Sequence, residues 1–319
     1  THALKNLVIE AVASMGLDSD DLPVYTVDSM NAIGGVHDLV LVDEVQDLPD
    51  KKIKKLLEHG ERFIFAGDLN QSIFLNSAKP ESIKRLLGNP KIVELRDIYR
   101  LPQAISHASH LVYPEAESAE NALVDVVANS SVSLVSCRSQ LREVEWVYQQ
   151  ALREARAGSP SAILFSKHEE LQDFVRKLCK SQGLSTPPAV GRLEQGGGHD
   201  YAPVNKFLKQ QGLSLMYFGG AGGGELKVAS KSKTVLLMTL HSAKGLEFDS
   251  VFMPFMNYEK YPCPYPPLKN KDEWQRRFIY VGLTRTRLNF YATYTDDVSE
   301  YLDSLTEESL EENLKHLEV

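Results

Sequence analysis

Two apolar runs, each followed closely by acidic residues, constrain the fold of this chain more than any other feature. Residues 39–42 are followed directly by Asp43, and residues 63–66 end two positions before Asp68. A short apolar run of this kind is typical of a strand buried on both faces of a parallel sheet. Because a helix is predicted between them, at residues 51–57, the segment has β-α-β spacing. We therefore predict an α/β protein whose polar residues collect at the carboxyl ends of its strands.

The rest of the chain repeats this alternation of strands and helices. Strands are predicted at residues 24–27, 132–135, 162–165, 235–239, 251–253 and 290–294, and helices at residues 102–113, 141–156, 169–178 and 274–287, before an acidic helical tail from Val298. The glycine-rich segments 196–198 and 219–224 are not followed by Lys-Ser or Lys-Thr, so neither fits the phosphate-loop pattern and both are expected to be flexible loops. With a break near Leu95, we expect two domains, residues 1–94 and 95–319.

Composition excludes several classes of protein. The net charge of −8 argues against a protein that coats nucleic acid through bulk positive charge, but it leaves room for a local groove. No apolar run approaches the roughly 18 residues of a membrane span, and no signal peptide opens the chain. The three cysteines, Cys137, Cys179 and Cys263, lack CxxC spacing. We interpret them as reduced thiols of a cytoplasmic protein without zinc or disulfides.

The acidic cluster that begins at Asp43 has two interpretations from the residues alone. A carboxylate at a strand end can hold Mg²⁺ through water, and a neighbouring carboxylate can position or deprotonate an attacking water, as nucleoside triphosphate hydrolysis requires. Alternatively, the cluster is a solvated loop that caps the next helix.

Five segments, in order along the chain, resemble successive motifs of the UvrD/Rep-like superfamily 1 helicases. They are 42-VDEVQD-47, 67-GDLNQSIF-74, 95-LRDIYR-100, 239-TLHSAKGLEFD-249 and 276-RRFIYVGLTRT-286. The resemblance implies two RecA-like parallel-sheet domains of the P-loop NTPase type, the first incomplete at its N-terminus. It also implies an ATP-dependent DNA helicase or translocase that uses ATP and Mg²⁺ and moves on single-stranded DNA.

For hydrolysis, the resemblance assigns Asp43 to Mg²⁺ and Glu44 to activation of the attacking water. Gln71 would hydrogen-bond the γ-phosphate, because an amide donates to phosphate oxygen without carrying a charge that would hold the product. Arg100 and Arg285 would act as arginine fingers, since a planar, permanently charged fork suits phosphate. The alternatives are a turn residue at Gln71 and an ordinary helix-face cation at Arg285.

For the nucleoside, the resemblance implies that Tyr99 stacks on adenine and that Glu247 accepts hydrogen bonds from the ribose hydroxyls. Gly245 would allow close approach of the backbone. The alternative for Tyr99 is a half-buried tyrosine of the core.

For nucleic acid, the resemblance points to Thr26 and Ser29 in the first domain and to Thr239 and His241 in the second. Hydroxyl and imidazole groups can hold phosphates without reading bases. Phe74 would stack on a base of single-stranded DNA, a contact that any sequence can use. The alternative for Phe74 is a core residue.

The chain also departs from the family pattern. Leu75 and Asn76 stand where the family usually has a further aromatic residue and an arginine, which puts the strength of single-strand binding in question. No GxxxxGK[ST] phosphate loop is present in this sequence, although residues 1–3 resemble the segment that follows that loop. We therefore expect the loop to lie outside this sequence, and this chain alone to bind ATP poorly and hydrolyse it hardly at all.

Two rival functions remain open at this point. One is a helicase-derived DNA- or protein-binding module without ATPase activity, and the other is an RNA-directed superfamily 1 helicase. Retention of the five residues assigned to hydrolysis argues against the first, and the DEVQD and YVGLTRT forms favour DNA over RNA. The expected partners are single-stranded DNA, duplex junctions, and an upstream segment or protein that supplies the phosphate loop; a bacterial protein would be nucleoid-associated.

Overall fold

A computed structural model describes ten stretches of the chain: residues 2–17, 22–32, 34–74, 76–95, 101–116, 130–193, 198–219, 232–257, 271–307 and 314–319. The chain divides into two compact units, residues 1–95 (unit 1) and 96–319 (unit 2). Each unit is described by itself below.

Unit 1 contains a parallel pair of strands joined through a helix. The strands are β1 (His37–Val42) and β2 (Gly60–Phe65), and the helices are α1 (His2–Ser14), α2 (Asp50–Leu56) and α3 (Pro80–Leu86). Val42 pairs with Phe65 at the carboxyl end of the sheet. Short 3-10 helices occupy Val27–Ala32, Val45–Asp47 and Leu69–Gln71. The predicted β-α-β segment is therefore confirmed.

The strand predicted at residues 24–27 is wrong. Residues 23–26 have no regular structure, and a 3-10 helix begins at Val27. The Ser29 backbone N–H donates to the Thr26 carbonyl over 2.9 Å, and the Ser29 hydroxyl donates to the same oxygen over 2.8 Å. Local hydrogen bonds of this kind compete with strand pairing and turn the chain instead.

Only one face of the β1–β2 pair is covered by described residues. Val42 packs with Ile53 of α2 and Ile83 of α3 in one apolar cluster. On the opposite face, Leu41 is 61% exposed and Ile64 is 58% exposed. The prediction that these strands are buried on both faces is therefore wrong for the described part of unit 1, because none of that part packs over the second face.

Unit 2 is built on a seven-stranded parallel sheet. The strands of this sheet are β3 (Ser131–Cys137), β4 (Ser161–Phe165), β7 (Leu215–Tyr217), β8 (Val235–Thr239), β9 (Phe248–Met253), β10 (Thr286–Thr295) and β11 (Leu314–Glu318). Two further strands, β5 (Gly191–Arg192) and β6 (His199–Asp200), form a separate antiparallel pair. The order across the large sheet is β11-β3-β10-β9-β4-β8-β7. The α/β prediction with parallel strands is confirmed.

Seven helices are described in unit 2. They are α4 (Gln103–Val112), α5 (Gln140–Glu154), α6 (His168–Ser181), α7 (Ala202–Gln210), α8 (Leu240–Ala243), α9 (Lys271–Leu283) and α10 (Asp303–Glu307). The apolar positions Phe174 and Leu178 of α6 follow helical spacing and are fully buried against the sheet. Sequence analysis did not foresee α7 and β7, which lie between the two glycine-rich segments.

The tail differs from the prediction of a helix throughout. It forms the short helix α10, but Leu314–Glu318 is a strand that pairs with β3, with Leu314 opposite Val132. Addition to a sheet edge satisfies backbone groups that would otherwise stay unpaired, and this outweighs the helix propensity of an acidic segment.

None of the described helices combines the length and the apolar character that a membrane crossing requires.

A partly buried histidine, His168, stands at the start of α6 in unit 2. The Nδ1 of His168 lies 2.8 Å from the Tyr201 hydroxyl, and the ring centroids of His168 and His199 are 3.7 Å apart. Burial lowers the pKa of His168 to about 4, and the positive charges of His199, His241 and Arg192 add to this effect, while Glu169 opposes it. His168 is therefore neutral in the folded protein at pH 7.

Unit 2 should lose stability in mild acid through His168. The unfolded histidine takes up a proton near 6.5 but the folded one only near 4, so the unfolded state binds more protons between these values and stability falls as the pH drops from 6.5 towards 4. We expect His168→Asn, which keeps a hydrogen-bonding side chain but does not titrate, to show a smaller fall in urea midpoint between pH 7 and pH 5. Tryptophan fluorescence follows this unit, because both tryptophans, Trp146 and Trp274, belong to it. Equal falls in the wild type and the variant would contradict the assignment.

Candidate nucleotide and nucleic-acid sites

The turn after β1 presents two adjacent carboxylates. Asp43 follows the strand directly, and Glu44 has a left-handed backbone with φ 55° and ψ 41°. The Glu44 backbone N–H donates to Asp43 Oδ1 over 2.8 Å. A left-handed non-glycine residue costs about 1 kcal/mol or more, so this turn persists only because its surroundings hold it.

Gln46 is the side chain that holds the turn. It is fully buried, its Nε2 donates to Glu44 Oε2, and its Oε1 accepts from the Asp68 backbone N–H over 3.2 Å. The Ser72 hydroxyl also donates to the Gln46 carbonyl over 3.1 Å. One amide thus ties the end of β1 to the end of β2, which lies 22 residues further along the chain.

Gly67 leaves room for this amide. A Cβ added at Gly67 would lie 2.3 Å from Gln46 Oε1 and 2.9 Å from Val45 Cγ1. Glycine is thus required here for close approach rather than for an unusual backbone angle.

Gln71 lies on the turn after β2 and is held by Asp68, the residue that Gln46 also contacts. Its side chain is 8% exposed, and its Nε2 donates to Asp68 Oδ2 over 3.0 Å. The other carboxylate oxygen of Asp68 accepts from the Asn70 backbone N–H over 2.9 Å. The structure therefore brings Asp43, Glu44 and Gln71 to one edge of the β1–β2 sheet through Gln46 and Asp68.

Gln46 and Asp68 were not among the sequence-predicted site residues. Both stand inside the quoted motif segments, so their position was visible in the sequence. The bond that joins them connects two separate turns, and a single sequence carries no signal for it. A glutamine between two apolar-run strand ends is the feature that could have drawn attention to it, since an amide that becomes buried needs partners.

The electrostatics of this edge suit a cation. Partial burial raises the pKa of Asp43, and the negative charge of Glu44 raises it further, while the hydrogen bond from the Glu44 backbone lowers it. A cation between the two carboxylates would relieve this repulsion. The donors are carboxylate oxygens, which Mg²⁺ prefers. No group of three or more potential metal ligands occurs among the described residues.

The remaining sequence-predicted contacts in unit 1 lie on surface turns. Thr26 Oγ1 and Ser29 Oγ are 3.1 Å apart, so the two predicted phosphate contacts share one turn. Phe74 is 37% exposed, which leaves ring surface accessible to a base.

In unit 2, Thr239 and His241 lie together at the carboxyl end of β8. Thr239 caps α8: its Oγ1 accepts from the Ser242 backbone N–H over 3.3 Å and lies 3.1 Å from the Ser242 hydroxyl. The His241 ring packs edge-on against Phe278 with centroids 5.3 Å apart. Thr239 is only 4% exposed, so its hydroxyl serves the local turn in this conformation.

Three further predicted residues lie near the opposite edge of the same sheet. Glu247 precedes β9 and accepts from Arg287 Nε over 3.1 Å. Arg285 precedes β10, and its carbonyl accepts from the Phe248 backbone N–H over 2.8 Å. Gly245, with φ 78°, lies in the connection that leads to β9.

Arg285 is not an exposed helix-face cation. Its side chain is 1% exposed, and its Nη2 donates to the Thr284 hydroxyl over 3.2 Å. A buried guanidinium needs polar partners to be tolerated, and the Thr284 hydroxyl is one of them. The other two predicted nucleotide contacts, Tyr99 and Arg100, lie outside the described residues.

The strands separate the predicted residues of unit 2 into two sets. Since β8, β9 and β10 belong to one parallel sheet, Thr239 lies at its carboxyl edge, and Glu247 and Arg285 lie at its amino edge. Among the described residues of this unit, the predicted nucleic-acid contacts Thr239 and His241 and the predicted nucleotide contacts Glu247 and Arg285 are therefore on opposite edges.

Comparisons with known proteins point to one family. Residues 200–297 match the UvrD-like helicase C-terminal domain. The chain is 41% identical over 129 residues to DNA helicase II of Rickettsia typhi, covering 37% of this chain and 18% of that protein. It is 45% identical over 67 residues to ATP-dependent DNA helicase Rep of Buchnera aphidicola, covering 21% and 10%. It is 23% identical over 353 residues to ATP-dependent DNA helicase UvrD2 of Mycobacterium bovis, covering 86% and 50%. The matches thus span between 10% and 50% of the length of these relatives.

Gly67→Ala should disrupt the acidic edge of unit 1. The added methyl group would collide with Gln46 Oε1, so we expect a destabilisation of about 1–3 kcal/mol and faster hydrogen exchange in residues 37–47 and 60–74. Gly34→Ala is the matched control, because a Cβ there meets nothing within 4 Å. Equal exchange in the two variants would remove the Gln46 contact from this account.

Proposed function

We propose, from the premise that this chain is the C-terminal portion of a UvrD/Rep-like superfamily 1 helicase, that it works in an ATP-dependent DNA helicase or translocase that moves on single-stranded DNA. The observation that carries this proposal is the hydrogen-bonded chain from Glu44 through Gln46 and Asp68 to Gln71. It holds a carboxylate and an amide on one edge of a parallel sheet, which is the arrangement that controlled hydrolysis of a phosphoanhydride needs.

The acidic edge would perform the hydrolytic step. Mg²⁺, when bound with ATP, would supply charge neutralisation at the phosphates. Asp43 would hold the ion, and Glu44 would orient a water molecule and accept its proton. Gln71 donates its amide to the γ-phosphate and loses that contact after cleavage, so its state reports whether the phosphate is present.

Residues of unit 2 are also proposed to contact the nucleotide. Arg285 and Arg100 neutralise charge that develops on the transferred phosphoryl group. Glu247 and Gly245 contact the ribose, and Tyr99 stacks on the adenine. For Tyr99 and Arg100 this proposal rests on the sequence motif alone.

The proposed hydrolysis requires a phosphate-binding loop that these 319 residues do not contain. The 319 residues contain no GxxxxGK[ST] segment, and such a loop with its lysine is the main cradle of the triphosphate in P-loop enzymes. We therefore expect hydrolysis in the complete protein and very little in this chain alone. A binding module without ATPase activity is the alternative, and absence of ATPase activity in the complete protein would favour it.

Nucleic acid would be held by Thr26, Ser29 and Phe74 in unit 1 and by Thr239 and His241 in unit 2. Hydroxyl and imidazole groups bind phosphate without reading sequence, and an aromatic ring stacks on any base. ATP binding, hydrolysis and product release would alternate the hold of the two units on the strand. This alternation would yield directional movement.

Glu44→Gln tests the hydrolytic assignment in the complete protein. The amide cannot accept a proton from water, so we expect kcat of the single-strand-stimulated ATPase to fall by about 10²–10⁴-fold while ATP still binds. Glu58→Gln, the same change at an exposed glutamate after α2, should leave kcat unchanged. A Glu44→Gln enzyme with wild-type turnover would exclude Glu44 from the mechanism.

Phe74→Ala tests the stacking contact. Loss of one stacked base costs about 1–3 kcal/mol, so the Kd for an oligothymidylate should rise by about 5- to 150-fold, and Phe74→Trp should restore binding. Fluorescence anisotropy with DNA and RNA oligomers of equal length measures both the effect and the preference. Wild-type affinity in Phe74→Ala would refute the contact, and tighter binding of RNA would favour the RNA-directed alternative.

A further inference from the structure

Unit 1 contains a groove that none of the predicted contacts uses. Its volume is about 520 Å³, and it lies between the start of α2 and the segment that leads into α3. Three cations line it: Lys51, Lys79 and Arg85. Asp50 is the one acidic residue among the lining side chains. In a chain with a net charge of −8, this is a local concentration of positive charge.

Positive charge exceeds negative charge among the described residues that line the groove. Lys51, Lys79 and Arg85 form no ion pair with any described residue. Asp50 accepts a hydrogen bond from the Ser82 hydroxyl over 2.6 Å and keeps its negative charge, so it offsets part of the positive charge. The net positive charge that remains is available to an anionic ligand.

Arg85 is held in place at this groove. Its Nη2 donates to Ser82 Oγ over 3.3 Å, and that hydroxyl in turn donates to Asp50. This one bond uses a single N–H of the five that a guanidinium carries. The remaining donors form a planar fork, whose geometry suits phosphate oxygens.

The groove continues the surface on which the predicted nucleic-acid contacts lie. The Ser77 backbone N–H donates to the Phe74 carbonyl over 3.2 Å, so Asn76 and Ser77 of the groove wall belong to the same turn as Phe74. Lys52, the neighbour of Lys51 in α2, forms an ion pair with Asp28, in the 3-10 helix that contains Ser29. The groove wall thus shares a turn with Phe74, and α2 is tied to the segment of the hydroxyl contacts.

We propose that this groove binds phosphate groups of single-stranded nucleic acid, with Lys79 and Arg85 as the principal contacts and Lys51 as a third. This inference rests on the proposed function and adds a site to it. The described residues of the lining include no aromatic side chain, so they offer charge and hydrogen bonds but no stacking. It thereby provides phosphate contacts beside Asn76, where the family pattern usually has larger contact residues. Such contacts position the strand without reading its sequence.

Salt dependence of binding by this chain tests the proposal. We would measure the affinity for a labelled oligothymidylate by fluorescence anisotropy over a series of NaCl concentrations, without nucleotide. Each phosphate contact on a single strand contributes about 0.7 to the slope of log K against log salt. Lys79→Ala and Arg85→Ala should each reduce the slope by about that amount and weaken binding by about 3- to 10-fold at low salt. The matched control is Lys84→Ala, which removes the same charge from an exposed residue of α3 that does not line the groove.

The outcomes separate this inference from the proposed function. Loss of slope in both groove variants but not in Lys84→Ala supports the site, provided that thermal melting shows all three variants folded. Wild-type slopes and affinities in Lys79→Ala and Arg85→Ala, with Phe74→Ala still impaired, would overturn the groove and leave the proposed function standing. An equal loss in Lys84→Ala would also overturn it, since the effect would then be one of general charge. No binding by the wild-type chain would overturn both.

Discussion

The side-chain amide of Gln46 is the contact on which the acidic edge of unit 1 depends. An amide buried without partners would destabilise the fold, whereas this one has both ends bonded, to Glu44 on one side and to the Asp68 backbone on the other. It fixes Glu44 in a left-handed conformation that the residue would not adopt alone. It also requires glycine at position 67, because any Cβ there would occupy its place. The conformation of Glu44, the link to Asp68 and the glycine at position 67 therefore all depend on one buried amide.

Much of the fold could be predicted because its signals are local. The apolar runs at residues 39–42 and 63–66 are short, are bounded by polar residues and have a helix between them, and they form β1 and β2. The same reasoning located the central strands and the long helices of unit 2. The predictions failed where the structure of a segment depends on a partner that is distant in the chain. The strand at Leu314–Glu318 forms because β3 pairs with it, and no pattern within an acidic tail reveals that partner.

The candidate site could be predicted only in part, for the same reason. Sheet logic places Asp43 and Gln71 at one edge, because both follow parallel strands, and the structure places them there. It cannot show that Asp68 orients Gln71, or that Gln46 joins the two turns. In unit 2, that logic leads to the carboxyl edge and to Thr239. Glu247 and Arg285 lie instead at the amino edge, where strands β9 and β10 begin.

The distance between the carboxyl and amino edges of the unit 2 sheet limits how a change at one edge could reach the other. Thr239 is level with Phe165, and Val251 is level with Ala162, so Glu247 lies about seven residue positions, or about 23 Å, from Thr239 along the strand direction. Between them is a hydrogen-bonded ladder of fully buried strands, which resists both stretching and shear. Such a sheet resists internal deformation, so a rotation of it as one body would displace its two margins in opposite directions without rearrangement of the side chains between them.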